Sequence, residues 1–178
     1  MSAAPQERVE DFDYVLPPEQ IAQRPAPERQ AAKLLIADIA GAPFAHHQYA
    51  ALPQLVRGDE LFVLNDTRVV PARLFGHKPT GGRVELLVLG LEAGRVDLVR
   101  AMGRASKPIR TGTSVDVGGH PLTVTEVLGG GLYLLKLPES AGPLWGFLDA
   151  HGELPLPPYI TRAEGPDADD RVRYQTVF

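Results

Sequence analysis

Cysteine is absent from the sequence. That excludes disulfides, thiolate nucleophiles and cysteine-based zinc or iron–sulfur sites. Long hydrophobic runs are absent too, and no stretch approaches the ~18 apolar residues that a membrane span requires. The stretch from Met1 to Glu10 is polar and lacks the apolar core of a secretory signal. These absences lead to the expectation of a soluble, cytoplasmic protein with no membrane partner. An excess of positive charge is also missing, because the net charge is −4. A chain devoted to coating nucleic acid is usually basic, so any RNA contact must come from a local patch. Neither Gly-x-Gly-x-x-Gly nor Gly-x-Ser-x-Gly occurs. The dinucleotide-type cofactor loop and the α/β-hydrolase serine elbow are thereby removed.

Turn formers are abundant. The 178 residues include 18 glycines and 17 prolines, a composition that favours many short strands over long helices. The apolar fraction of 44% is enough for a real core.

Three regions differ in pattern. Residues 1–57 mix extended and helical signals. A strand is expected over Asp11–Leu16, ending at Pro17 and Pro18, followed by a short helix through Ile21 and Ala22. Leu34–Ala37 reads as a buried strand. A helix is expected over His47–Leu55, with Tyr49, Leu52 and Leu55 on one face.

From about residue 58 to 137 the pattern is strand after strand. Strands are expected at 60–64, 69–75, 83–91, 95–102, 113–117, 122–128 and 132–137, most of them separated by glycine turns. Short strands at close spacing suggest a small antiparallel barrel. Residues 138–178 change again. Leu144–Leu148 reads as an amphipathic helix, and Pro155, Pro157 and Pro158 force an extended strip that cannot be a central strand. Arg162–Arg173 reads as a loop, and Tyr174–Phe178 as a strand whose partner would lie beyond the chain.

Several polar groups are candidates for chemistry. Asn65-Asp66-Thr67-Arg68 follows an apolar run and suits a turn with side-chain-to-backbone bonds, which sets Asp66 and Arg68 at a strand end. Lys78-Pro79-Thr80-Gly81-Gly82, with Arg73 and Arg83 on either side, can cradle an anion, or can simply be a hairpin with a solvated lysine. Glu85 sits on a strand that becomes strongly apolar. A carboxylate beside apolar cover can act as acid or base, or it can pair with Arg83 or Arg73. Arg95, Arg100, Arg104, Lys107 and Arg110 form a basic run diluted only by Asp97. His46-His47 makes a poor metal site because adjacent side chains point apart, and a helix-entry role suits it better.

Four segments, in order and at characteristic spacing, carry a resemblance. They are Asp11 to Pro17 with Ile21 to Pro25 and Arg29; Gly58 to Leu74; Gly76, Lys78, Thr80 to Gly82 and Val84-Glu85; and Gly152 to Ile160 with Arg162 and Arg173 to Phe178. The chain resembles the N-terminal part of the S-adenosylmethionine:tRNA ribosyltransferase-isomerase family of queuosine biosynthesis. The resemblance implies mixed α/β and all-β architecture: a small antiparallel β-barrel, residues 60–137, inserted into an α/β domain that is incomplete in this chain. Residues 1–59 and 138–178 would be parts of that outer domain.

It also implies a reaction. The ribosyl moiety of S-adenosylmethionine, a substrate here, is transferred and isomerised onto 7-aminomethyl-7-deazaguanine in tRNA. Epoxyqueuosine-tRNA forms, and adenine and methionine are released. No metal is expected, and a monomer is. The implied catalytic residues are Asp66 and Glu85. The implied substrate-binding residues are Arg68, Arg73, Lys78, Tyr159, Arg162, Tyr174 and Gln175. Two alternatives stay open at this point: a non-catalytic truncated form, and a β-barrel module that binds RNA or protein.

Overall fold

The computed structural model describes residues 8–37, 41 and 43–175. The chain divides into two compact units, Met1–Leu61 with Pro158–Thr161 and Phe62–Pro157 with Arg162–Phe178.

Order in the first unit is local. The Asp11 carboxylate accepts the Arg8 N–H at 2.8 Å, and Val9–Phe12 closes into a 3-10 turn. The strand expected over 11–16 does not form, because this local bond competes with strand pairing and the prolines that follow block extension. A second 3-10 turn, Pro18–Gln20, stands where a short helix was expected. β1 (Lys33–Ile36) pairs antiparallel with β2 (Ala45–Gln48) in a two-stranded sheet. Leu34 and Ile36 are half-buried and Leu35 is exposed, so β1 is not the buried strand expected. β2 also takes in His46 and His47, whose side chains alternate across it rather than opening a helix. Helical structure is confined to a 3-10 turn at Tyr49–Ala51 and the single turn α1 (Leu52–Leu55), with Pro53 near its start. The Gln23 side chain acts as a substitute strand. Its amide donates to the Tyr159 carbonyl at 3.0 Å, and its oxygen accepts the Thr161 N–H at 2.8 Å.

The second unit contains a closed six-stranded antiparallel barrel. Its strands are β3 (Arg73–His77), β4 (Arg83–Leu91), β5 (Leu98–Ala105), β6 (Ser114–Val117), β7 (His120–Gly129) and β8 (Leu132–Lys136), in the order β3-β4-β5-β8-β7-β6. Alternation, broken by bulges in β4 and β7, sends Leu74, Val84, Leu86, Val99, Val115, Leu122, Val124 and Leu135 inward, each nearly inaccessible. Closure joins His77 to Asp116. A side chain on the neighbouring Gly76 would run into the Asp116 carbonyl and the Val115 and Val117 side chains, so the seam requires glycine there.

The barrel has two unlike ends. One carries the β4–β5 and β6–β7 turns, and α2 (Leu144–His151) packs there, adding Leu144, Phe147 and Leu148 to the barrel core. The other end carries the β3–β4 turn and the β5–β6 and β7–β8 connections. Gly81, Gly130 and Gly131 turn the chain there with positive φ.

Two expectations fail in this unit. Residues 60–64 form no strand, and Leu61, Phe62, Val63 and Leu64 stand exposed without a pairing partner. The strand expected from Val69 begins only at Arg73. The region expected to be a loop holds α3 (Ala168–Arg173), whose start is closed by a reciprocal box. The Asp170 N–H donates to Asp167 at 2.8 Å, and the Asp167 N–H donates to Asp170 at 3.1 Å. Of the strand expected at 174–178, Tyr174 and Gln175 are not in a strand, and the rest lies outside the described residues.

Candidate functional site

Glu85 and Arg73 meet on the outer face of the barrel. β3 and β4 pair Phe75 with Glu85 and Arg73 with Leu87, so Arg73 and Glu85 are diagonal neighbours. Arg73 Nε lies 3.2 Å from Glu85 Oε1, without the alignment of a hydrogen bond. The contact is therefore Coulombic, between two partly exposed groups. The same arginine is anchored at its backbone. Its N–H donates to the Glu153 carbonyl at 3.1 Å, and the Glu153 N–H donates back at 2.7 Å. This bridge ties the proline-bearing strip to the start of β3, and the Arg73 guanidinium adds a longer bond to the Leu156 carbonyl at 3.4 Å. Gly152 makes it possible, because a side chain there would overlap the Pro71 carbonyl.

Glu85 opens into a shallow depression of about 550 Å³ with Phe75, Arg83 and Arg104. Glu85 and Arg104 are directly opposite in the β4–β5 register. The Arg83 guanidinium rests over the Phe75 ring, 4.8 Å from its centre, which fixes the cation without a carboxylate. Arg83, Ala105 and Ser106 also line a second hollow of about 660 Å³, which continues to Lys78, Lys107 and Arg110. Two connected depressions thus occupy the barrel end that α2 does not cover.

Lys78 does not stand free in that hollow. Its ammonium donates to the Lys107 carbonyl at 2.9 Å and to the Pro108 carbonyl at 3.0 Å. It stitches the β3–β4 turn to the β5–β6 connection. The basic run of the sequence is split by the fold. Arg95 pairs with Asp97 at 3.0 Å and Arg100 with Glu92 at 2.9 Å, both near the α2-covered end. The Arg95 hydrogen bond holds the Asp97 carboxyl below its usual range. Arg83, Arg104, Lys107 and Arg110 are exposed and form no ion pair among the described residues. Strand parity and turn position decide which basic residues are neutralised, and spacing along the sequence does not reveal them.

The remaining nominated residues are dispersed. Asp66 and Arg68 lie exposed on the irregular segment before β3. Asn65 caps that turn, accepting the Thr67 N–H at 3.0 Å and the Thr67 hydroxyl at 2.6 Å, as its sequence suggested. Gln175 clamps the segment's end, because its oxygen accepts the Val69 N–H at 2.9 Å and its amide donates to the Val69 carbonyl at 3.1 Å. Arg162 is committed to Asp170 through two bonds of 2.8 Å. Asp170 is fully buried, and the Arg162 bonds outweigh that burial and hold its carboxyl below the usual range. Tyr174 is half-buried at the end of α3, and the Tyr159 ring is exposed.

A larger hollow of about 990 Å³ lies at the α2-covered end. It is lined by Trp145, Leu91 and Val96 with Asp97 and Lys136. It is chiefly apolar and contains none of the nominated residues. Among the described residues no cluster of histidine and carboxylate side chains is arranged to hold a metal ion.

Residues 9–178 match a family model described as queuosine biosynthesis protein. The S-adenosylmethionine:tRNA ribosyltransferase-isomerase of Anaeromyxobacter dehalogenans is 47% identical over 173 residues, covering 96% of this chain and 49% of its own. That of Xylella fastidiosa is 47% identical over 175 residues, covering 94% of this chain and 47% of its own. The chain therefore spans about half the length of the curated relatives it matches. A crystal structure of S-adenosylmethionine tRNA ribosyltransferase from Thermotoga maritima matches 71% of this chain and 44% of that one, at 26% identity. Its TM-score of 0.33 is too low to support any argument about fold.

Proposed function

The chain belongs to the queuosine biosynthesis protein family, and from that premise we propose that it supplies one half of an S-adenosylmethionine:tRNA ribosyltransferase-isomerase. The match across residues 9–178 carries this reading. The reaction consumes S-adenosylmethionine and a tRNA bearing 7-aminomethyl-7-deazaguanine. It yields epoxyqueuosine-tRNA, adenine and methionine.

The sulfonium of the donor acidifies the ribose 5′-methylene. A base removes that proton, the sugar rearranges, the aminomethyl nitrogen attacks, and adenine and methionine leave. Such a sequence needs a general base, a neutral amine and a site that shields the carbanion-like centre.

Of the two nominated carboxylates, Glu85 fits the base better than Asp66. It faces a depression and is held beside Arg73 on a regular strand, whereas Asp66 stands on an irregular exposed segment. Arg73 sets the orientation of Glu85 and is itself fixed by the Glu153 bridge. Arg68 and Arg73 are the cations proposed to hold anionic parts of the substrates. Gln175 shapes the backbone before β3.

The test joins this chain to the remaining length that its relatives carry. Adenine release from S-adenosylmethionine and precursor tRNA is then followed chromatographically. Glu85→Gln is expected to lower kcat by about 100-fold or more, the usual contribution of a positioned acid–base group. Full turnover in that variant removes Glu85 from the chemistry. Failure of the joined enzyme to release adenine removes the reaction itself.

A further inference from the structure

The uncovered barrel end concentrates positive charge. The protein is acidic overall, with a net charge of −4. Yet the hollow of about 660 Å³ is lined by Lys78, Arg83, Lys107 and Arg110 and by no carboxylate, and Arg104 adjoins it through the depression that shares Arg83 and also holds Glu85. We infer that this hollow binds consecutive phosphates of an RNA backbone, with Arg83, Arg104, Lys107 and Arg110 as the contacting cations. The inference rests on the reading of the protein as part of a tRNA-modifying enzyme, and it assigns the phosphate contacts to residues other than Glu85, Arg68 and Arg73, with Arg83 and Arg104 lining the depression that Glu85 faces.

Three observations favour RNA phosphate. First, the four cations are exposed and unpaired among the described residues, whereas Arg95 and Arg100 are neutralised near the opposite end. Phosphate binding gains most from cations that have no carboxylate to give up. Second, the surface is organised in advance. Arg83 is stacked on Phe75, and Lys78 pins the 106–113 connection through two carbonyls. The turn at Arg110 is closed by the Thr113 hydroxyl, which accepts the Arg110 N–H at 3.1 Å, and by the Thr113 N–H, which donates to the Arg110 carbonyl at 2.9 Å. Third, the hydroxyls of Thr80, Ser106 and Ser114 stand among the cations, and no large apolar side chain lines the hollow. Hydroxyls add phosphate hydrogen bonds. A membrane-docking surface would instead present apolar wedges. Lys78 is a positioning residue in this arrangement.

The experiment measures binding of a labelled anticodon stem–loop RNA to the 178-residue chain across a salt series. The wild-type protein is expected to show log affinity falling linearly with log salt. The combined variant Arg83→Gln, Lys107→Gln, Arg110→Gln is expected to bind about 30-fold more weakly and to reduce the slope by about two to three. Its thermal midpoint should shift only slightly, since all three side chains are exposed and only the stacking of Arg83 on Phe75 is lost. Lys78→Arg should retain binding, because the longer cation still reaches the two carbonyls. An unchanged slope in the combined variant overturns the inference, as does displacement of the RNA by polyglutamate at matched charge. The outcome is separable from the enzymatic reading. A joined enzyme that releases adenine, but whose tRNA affinity ignores these substitutions, keeps the activity and loses this site. RNA binding that responds to them without adenine release does the reverse.

Discussion

Two apolar quartets of nearly the same composition meet opposite fates in this molecule. Leu86-Leu87-Val88-Leu89 lies in β4, with Leu86 and Val88 buried in the barrel and neighbours paired on both sides. Leu61-Phe62-Val63-Leu64 has the same strand-forming character and stands in solvent, unpaired. Hydropathy states a demand for burial, and only a pairing partner satisfies it. The contrast extends to the regions around each quartet. No described residue before Ala72 is buried, and more than half of the large exposed apolar side chains fall between Val9 and Leu64. The barrel closes on itself and satisfies both its backbone and its core. Outside the barrel, α2 shares its core and β1 pairs with β2, while discrete polar contacts hold other segments: the Gln23 clamp in one unit, and the Gln175 clamp and the Arg162–Asp170 pair in the other.

Truncating the two quartets gives the widest separation. Leu86→Ala is expected to destabilise the barrel by about 3 kcal/mol. Phe62→Ala should stay within about 0.5 kcal/mol. Urea unfolding of each variant measures the gap, and equal losses would mean that the 61–64 run is packed after all.

Next in size is the buried ion pair. Arg162→Ala leaves the Asp170 carboxylate buried without its guanidinium and is expected to lower the thermal midpoint by ~10 °C. The pH dependence follows from the sign of the shift. The folded Asp170 carboxyl titrates below its usual range, chiefly because Arg162 bonds to it. Its stabilising contribution is therefore complete above about pH 4 and is lost as pH falls through the folded value. The difference between wild type and Arg162→Ala should narrow as the solution is acidified below about pH 4. A gap that stays constant with pH would assign the loss to packing alone.

The smallest effect belongs to the clamp. Gln175→Ala removes two bonds to the Val69 backbone. The global stability should fall by no more than about 1 kcal/mol, while amide exchange at Val69 accelerates. Unaltered exchange there would show that the segment before β3 is held by something else.

The barrel was legible because its signals are local and mutually consistent. Alternation over Arg83–Leu86 and the glycine turns at Gly81, Gly94 and Gly118-Gly119 each specify a strand or a hairpin within a few residues. The Leu144–Leu148 helix was legible for the same reason. The strands expected at 11–16 and 60–64 failed because a strand needs a neighbour, and local bonds to Asp11 and Glu60 are what these stretches have instead. Glu60 accepts the Arg57 and Gly58 N–H groups at 2.9–3.0 Å, which also holds its carboxyl below the usual range. α3 was missed because its stop–start signal, Asp167 with Asp170, is short and embedded in an acidic stretch. At the candidate site, the pairing of Arg73 with Glu85 was open to anticipation from their strand positions. The division of the basic run into paired and unpaired arginines was not, since it depends on which carboxylates the barrel register brings near.

The chain enters the barrel at Arg73 and leaves it at Lys136, and both points lie toward the end that α2 covers. The far rim therefore bears none of the mechanical duty of connecting to the rest of the polypeptide. A load placed on its turns is not passed directly to either point of attachment, and the six staves beneath can keep the rim's shape while another molecule rests on it.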